Sequence, residues 1–454
     1  MVRWAAAALA LWILVGAAGF WLHRGECALH WSTTTVDVPV VVIESDDWGG
    51  RFVVTVSDPP LRNLESAEAA AVERLVGVLR RHQDSVGRHP IISAFVVVGQ
   101  PDIAAIAADS AERYHWIPID HVQPCLVATL RRAQAEGFFE INYHARDHCN
   151  ADLAVQVVRE AITRAADEAR LFDPLCVSTF HPIGTLPYKK LEDRNRLTTE
   201  YLAVRGKHFV PPDPAAVDSR VAEGVCEFRR LFERPPRSTV AAGYMWGPDA
   251  EASWRHHGIR FVHGVNYQRG VPQPTEMIER RGFGFRTVGG MVGVTRNVVF
   301  EPDLRMCGPL PSVDEALASA ARLFAQGQPA VVCAHAWCFY VTETGLKDPA
   351  AVETMFSRLD DLLTGFERTY PNLRYASSEE VGQLAEAGRV DYFGGRPGPE
   401  IVAARGLKHA WFVAVRLAHH HPKVKLWALG LAGLTLALAG TSVAGVLSRR
   451  DRPR

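Results

Sequence analysis

The chain is poor in cysteine, carries no net charge and shows no repeat. Eight cysteines in 454 residues (27, 125, 149, 176, 226, 307, 333 and 338) are too sparse for a disulfide scaffold. No Cys-x-x-Cys occurs, which removes a structural zinc ribbon. Cys149, Cys333 and Cys338 read instead as small buried hydrophobes, the usual setting of a free cysteine. Fifty basic residues balance fifty acidic ones, so bulk electrostatics make no case for a nucleic-acid partner. No internal repeat or low-complexity tract is visible, which argues against a solenoid or propeller.

What the chain does have is hydrophobic length at both ends. Trp4–Leu22 is an uncharged apolar run of 19 residues and Leu426–Leu447 one of 22. At about 1.5 Å per residue each is long enough to cross a hydrocarbon core of about 30 Å. The basic tail Ser448–Arg454 reads as a cytoplasmic stop, which puts the N-terminus inside and residues 25–425 outside. A cleaved signal peptide at Ala17-Ala18-Gly19 is the other reading of the first run. Before the second run, Arg405–His421 mixes basic and aromatic residues at helical spacing, as a helix lying on a membrane surface does.

Between these ends, apolar runs alternate with helical patterns. Strands are expected at Ile91–Val98, Phe138–Tyr143, Cys176–Phe180, Thr239–Ala242, Arg260–His263, Ala330–Ala334 and Leu373–Ala376. Helices are expected at Ala67–Arg81, Ala151–Leu171, Ala215–Phe232, Val313–Ala325 and Ala350–Thr369. That alternation predicts an α/β domain of parallel strands with helical crossovers.

The most informative segment is Val38-Pro39-Val40-Val41-Val42-Ile43-Glu44-Ser45-Asp46-Asp47-Trp48-Gly49. The aliphatic run reads as a strand buried on both faces, and chemistry in β/α folds gathers at the C-terminal ends of such strands. Two adjacent buried carboxylates repel unless a cation or a shared proton lies between them. A polar turn that caps the strand is the plainer reading of the pair taken alone. The second signal is His144-Ala145-Arg146-Asp147-His148. Two imidazoles four apart share one face of a helical turn and reach one ion. Joined by one aspartate from another strand end, they make an Asp-His-His set that leaves a coordination position open, as catalytic zinc-type sites do. The other aspartate is then free to act as a base.

Ser45-Asp46-Asp47-Trp48-Gly49 together with His144-x-x-x-His148 resembles the polysaccharide deacetylase (NodB-like) carbohydrate esterases. The resemblance spans roughly residues 36–390, with its specific motifs in a few short stretches. It implies a distorted (β/α)7–8 barrel, here flanked by N- and C-terminal transmembrane helices. Its domains would be an anchor or signal segment over 1–24, the barrel over 36–392, a linker and basic membrane-proximal helix over 393–425, and a span over 426–447. It implies Asp46 as catalytic base, Asp47, His144 and His148 as ligands of a divalent metal, usually zinc, and His335 after the late strand Ala330–Ala334 as general acid. The oxyanion would be stabilised by the metal and by a backbone N–H of the Trp48–Gly50 turn.

One family element departs. The segment equivalent to the family's Arg-Pro-Pro-Tyr-like motif is Val240-Ala241-Ala242-Gly243-Tyr244, which has no Arg, and Arg234-Pro235-Pro236 sits several residues too early. Arg146 is the candidate to orient Asp46 in its place. His181, Tyr244 and Trp246 follow strands and are candidates to line a glycan groove. Arg296-Asn297-x-x-Phe300-Glu301-Pro302 resembles a stretch of envelope-associated relatives, without a role attached to it.

The expected activity is removal of acetyl groups from an envelope or exported polysaccharide, by a membrane-held domain on the extracytoplasmic side. Two other readings stay open. One is a glycoside hydrolase on the same fold. The other is a non-catalytic glycan-binding or assembly relative, which the absent Arg favours and the intact Asp-His-His set opposes.

Overall fold

Val40–Trp48 forms the central strand, β1, whose β-branched run favours the extended backbone. A computed structural model of the chain describes residues 36–50, 60–167, 199–205, 208–265, 283–287, 289–302, 309–341, 346 and 348–387, all within one unit, Thr33–Arg396. The expected strand Cys176–Phe180, His181, both expected membrane spans and the segment 393–425 lie outside the described residues. Among the described residues no helix is long and apolar enough to cross a membrane.

Among the described residues the main sheet has nine strands. After β1 come β2 (Ile92–Val97), β3 (Phe139–Ala145), β4 (Ser238–Val240), β5 (Phe261–Gly264), β6 (Val292–Thr295), β7 (Val298–Val299), β8 (Ala330–His335) and β9 (Arg374–Tyr375). Their spatial order is β6-β5-β4-β3-β2-β1-β8-β7, with β9 beside the start of β1. All of these pairings are parallel. The two ends of the row are almost consecutive in the chain. Arg296 N–H donates to the Gly264 carbonyl of β5 at 2.8 Å, and Asn297 N–H donates to the Val331 carbonyl of β8 at 3.2 Å. The sheet therefore curls until its edges meet at Arg296–Asn297, as expected for a sheet of the β/α barrel type.

Among the described residues, the helices longer than two turns are α1 (Pro60–Leu79), α2 (Pro124–Ala135), α3 (Ala151–Asp167), α4 (Pro214–Phe232), α5 (Pro248–His256), α6 (Val313–Phe324), α7 (Pro349–Thr369) and α8 (Ser378–Ala387). Their starts are set by ordinary capping chemistry. Asp213 and Asp348 accept from the backbone N–H of Ala215 and Ala350 at 3.1 and 2.9 Å, each just ahead of a proline at the first helical position. The expected helices and strands within the described residues are present to within a few residues, except that α1 begins seven residues before its expected start at Ala67. The segments β6–β7 and α2 were not anticipated.

Strand alternation decides which side chains reach the barrel interior. On β1, Val41 and Ile43 belong to the core shared with the outer helices, through Leu75, Leu130, Phe228 and Phe366. Val40 and Val42 belong to a second core with Phe261, Val292, Val294 and Val331, closed by Val381 and Leu384 of α8. Carried along each strand, the inner set continues to Glu44 and Asp46 on β1, His144 on β3, His263 on β5, Arg296 just past β6 and His335 on β8.

Candidate active site

Alternation alone would send Asp46 and Asp47 to opposite faces of the sheet. The chain avoids this with an irregularity: the β1–β2 register shifts between Ser45 and Trp48, and Asp47 takes a left-handed φ of 67°. Aspartate is among the residues that tolerate this conformation, and bulges often re-aim side chains beside active sites. Gly49 follows with φ 76°, and a Cβ there would lie 1.9 Å from Ile119 Cδ1, so the turn leaves no room for a side chain. Two N–H groups of this turn are already committed. Gly49 donates to Glu68 at 2.7 Å and Gly50 to the Asp47 carbonyl at 3.0 Å. Neither is therefore available as the oxyanion donor expected of the turn.

Asp47 Oδ1 lies 3.0 Å from His144 Nε2 and 3.7 Å from His148 Nε2, and the two imidazole rings meet edge-on at 4.7 Å. The helical turn expected to carry the two histidines is not what brings them together. His144 is in β3, while His148 sits on a bend beyond it with φ 53°. The bend is held from behind. Glu200 accepts from the backbone N–H of Arg146 and of His148, both at 3.2 Å, and Asp147 accepts from Cys149 N–H at 3.2 Å.

The donor set fits a divalent cation. His144 Nδ1–H donates to the Val240 carbonyl at 2.8 Å, so in the neutral ring the Nε2 lone pair points at a carboxylate oxygen 3.0 Å away. Two acceptors face each other there, and only a proton or a cation between them removes the repulsion. A backbone carbonyl on the far ring nitrogen is the usual support of a metal-bound histidine. Burial, with His144 beside it, pushes His148 down to about 4, which keeps it neutral and able to donate its lone pair. Burial raises the Asp47 carboxyl, but a proton on His144 Nε2, hydrogen-bonded to it, and the charges of the neighbouring histidines outweigh burial and hold the group well below the carboxylate range.

Asp46 is neutralised differently. Arg296 clamps it with both terminal nitrogens, Nη2 at 2.5 Å from Oδ1 and Nη1 on Oδ2. The Arg296 Nε–H donates to Glu44 at 2.6 Å, and the guanidinium lies 5.1 Å from the centre of the Phe95 ring. All three charged groups are buried. Removing one partner of such a buried pair typically costs about 3–5 kcal/mol. The cation that the sequence lacked at Ala241 thus arrives from the seam of the barrel. Arg146 does not supply it. Its guanidinium is occupied by Asp147 at 2.6 and 2.9 Å and by Glu223 at 2.6 Å. Arg234 pairs with Glu379 at 2.7 Å and takes no part.

His335 is the register partner of Asp46 across β1 and β8. Its Nδ1–H donates to Glu301, its Nε2 faces Asp47 Oδ2 at 3.8 Å, and Trp337 stacks on its ring at 5.3 Å. Burial disfavours the imidazolium, but Glu301 and the two aspartates outweigh it and raise His335 to about 10. The histidine is therefore protonated at neutral pH.

The expected groove residues divide. Tyr244 is half-buried with φ 58°. Burial pushes its phenol well up against the opposing charge of Arg296, so it keeps its proton. Trp246 is 2% exposed, donates to Glu251 at 2.9 Å and packs against Trp254 at 6.1 Å. It is a core residue with no open face for a sugar. Arg296 and Glu301, singled out in the sequence by resemblance but given no role there, are the residues that pair with Asp46 and His335. The signal for Arg296 was inner-face parity: Val292, Val294 and Arg296 alternate along one strand.

No family model and no curated protein matches the chain. Solved structures do. A putative polysaccharide deacetylase from Mycobacterium smegmatis aligns with a TM-score of 0.39 at 12% identity, covering 80% of this chain and 98% of that one. A family 4 acetyl xylan esterase from Clostridium thermocellum, in complex with a cobalt ion, aligns at 0.33 and 9%, covering 77% and 96%. The α-amylase AmyC from Thermotoga maritima aligns at 0.37 and 10%, covering 84% and 82%. With all three TM-scores below 0.4, no residue role is carried over from these proteins.

Proposed function

We propose that the protein is a metal-dependent hydrolase that removes acetyl groups from a polysaccharide, held at a membrane with its barrel on the extracytoplasmic side. The observation that carries this reading is the division of labour between neighbouring carboxylates. Asp47 shares a point with two histidines, one of them locked in the ligand tautomer by Val240, while Asp46 is clamped apart from that point by Arg296. The adjoining motif resemblance and the apolar end segments supply the substrate class and the membrane.

Asp47, His144 and His148 would hold the cation. When bound, a divalent ion supplies Lewis-acid polarisation of an acyl carbonyl and acidifies a water beside it. Asp46 retains acceptor capacity on its two oxygens after accepting from Arg296 and takes the proton of the attacking water. Arg296 fixes that carboxylate in one orientation, so the proton is removed along a set direction. His335, charged through Glu301, delivers a proton to the departing amine or alkoxide.

The test is metal content followed by turnover, on the full-length protein in detergent. Wild type is expected to bind about one zinc-type ion at this site and to release acetate from an acetylated glycan, and Asp47→Ala to do neither. Asp218, His256 and His257 form the other metal-capable group among the described residues, so the readout is the equivalent lost in Asp47→Ala. A well-folded wild type whose metal content equals that of the mutant would sink the reading.

A further inference from the structure

Behind Asp46 the barrel interior holds a chain of buried polar groups that the proposed chemistry does not touch. Glu44 lies two residues before Asp46 on the same face of β1 and is fully buried. Its Oε2 accepts from Arg296 Nε–H at 2.6 Å. Its Oε1 accepts from His263 Nδ1–H and Ser378 Oγ–H, each at 2.7 Å. Ser378 is the first residue of α8, and its own N–H donates to Ser93 at 2.8 Å. Phe95 covers both Arg296 and His263, at 5.1 and 5.0 Å. Burial opposes the Glu44 charge, but His263 and Arg296 outweigh it and hold the carboxyl below its ordinary range.

This geometry bears on how Arg296 is aimed. A guanidinium has five N–H groups in a rigid plane. With Nε tied to Glu44 and the two terminal nitrogens tied to Asp46, the plane is fixed at both ends. Without the Nε anchor the side chain keeps its long rotatable stem and the fork swings. The helix start that seats Ser378 also faces a second interior carboxylate. Glu140 accepts from Glu379 N–H at 3.1 Å and from Ser377 Oγ–H. The N-terminus of α8, a favourable place for anions, is thus docked on two glutamates at the floor of the barrel.

We propose that Glu44, itself held by His263 and Ser378, is a positioning residue that sets Arg296 and through it the orientation of the base Asp46, so that the docking of α8 is coupled to the chemistry at the C-terminal end of β1. The inference rests on the deacetylase reading for its kinetic consequence but not for its structural one.

The experiment pairs kinetics with a crystal structure of the full chain carrying Glu44→Gln, which keeps the side-chain volume and removes the charge. A misaimed base costs about a hundredfold. The expected result is therefore a fall in kcat of about that size with KM and bound zinc unchanged, and an Arg296 fork that has left its bidentate contact with Asp46. Partial recovery of kcat is expected in Glu44→Asp, which restores the charge at shorter reach. An undisturbed Arg296–Asp46 pair in the crystal overturns the proposal whatever the activity. A wild type that turns over no acetylated glycan removes the deacetylase reading instead, and the position of the fork still decides the inference. Should Glu44→Gln not fold, Ser378→Ala removes one donor and no charge, with a smaller fall in kcat and a measurable rotation of the fork expected. An unchanged kcat and fork in that variant count against the relay.

Discussion

On one side of the β1 end, Asp46 meets a guanidinium that the chain itself supplies; on the other, Asp47 meets imidazoles, His144 and His148 at its Oδ1 and the protonated His335 farther off at its Oδ2. The first half of the site is complete as folded. Glu44, Asp46 and Arg296 are all buried and satisfy one another. In the second half, a lone pair of His144 is aimed at a carboxylate oxygen, and this is relieved only by a proton or an added ion. The difference teaches that adjacent carboxylates need not share one fate. A single irregular step in the strand hands one to the protein's own cation and leaves the other for an external one.

The sharpest way to break this comparison is to neutralise each carboxylate in turn. Asp46→Asn preserves shape, so zinc content should stay at the wild-type value. Acetate release should fall by at least about a hundredfold, the usual worth of a positioned proton-transfer group. In Asp47→Ala both the ion and the activity should go. Metal analysis beside a turnover assay reads the two together. Loss of the ion in Asp46→Asn would mean that the halves are not separate.

Much of this was legible in the chain, for identifiable reasons. Asp46, Asp47, His144, His148 and His335 stand out because each ends or follows an apolar strand, and strand ends are where this architecture gathers its polar groups. What was not legible depends on which strands become neighbours. Arg296 lies 250 residues from its partner Asp46 and meets it only because the sheet closes at Arg296–Asn297. Arg146 invited the opposite error, since closeness in sequence to the histidines put it near the site while Asp147 and Glu223 took its charge. Trp246 follows a strand as Tyr244 does, yet after the left-handed Gly243 the first is fully buried in the core while the second, packed against the same core, stays only half-buried. The register shift at Asp46–Asp47 has no sequence signature at all; without it the pair would straddle the sheet.

The acid side allows a finer test. Glu301 raises His335 more than either aspartate does. Because the folded pKa is raised, the stabilising contribution of this pair is fully present below the unfolded value of about 6.5 and fades as pH climbs through about 10. Glu301→Gln removes that support and leaves burial, which pulls the other way. The alkaline limb of kcat should therefore move down by about 1–3 pH units, the usual effect of one close opposite charge. A bound cation beside Asp47 lowers both enzymes' values alike, so the difference between the two profiles is the quantity to measure. Coincident alkaline limbs would show that His335 does not carry the proton.

The smallest effect on turnover is expected at Arg146, and it separates the two arginines. Arg146→Lys keeps a positive charge but loses the fork that binds Asp147 twice and Glu223 once. Asp147 also receives Tyr114 Oη–H at 2.7 Å, so the bend carrying His148 loosens without collapsing. Weakening the support of a metal ligand lowers affinity by about tenfold or somewhat more. Zinc should therefore bind about tenfold more weakly, while kcat of the fully loaded protein stays at the wild-type value, because the Asp46 clamp is untouched. A competitive chelator titration gives the first quantity and turnover at saturating zinc the second. If the loaded protein instead slowed as far as Asp46→Asn, Arg146 would be acting on the base, and the division between the halves would have to be redrawn around it.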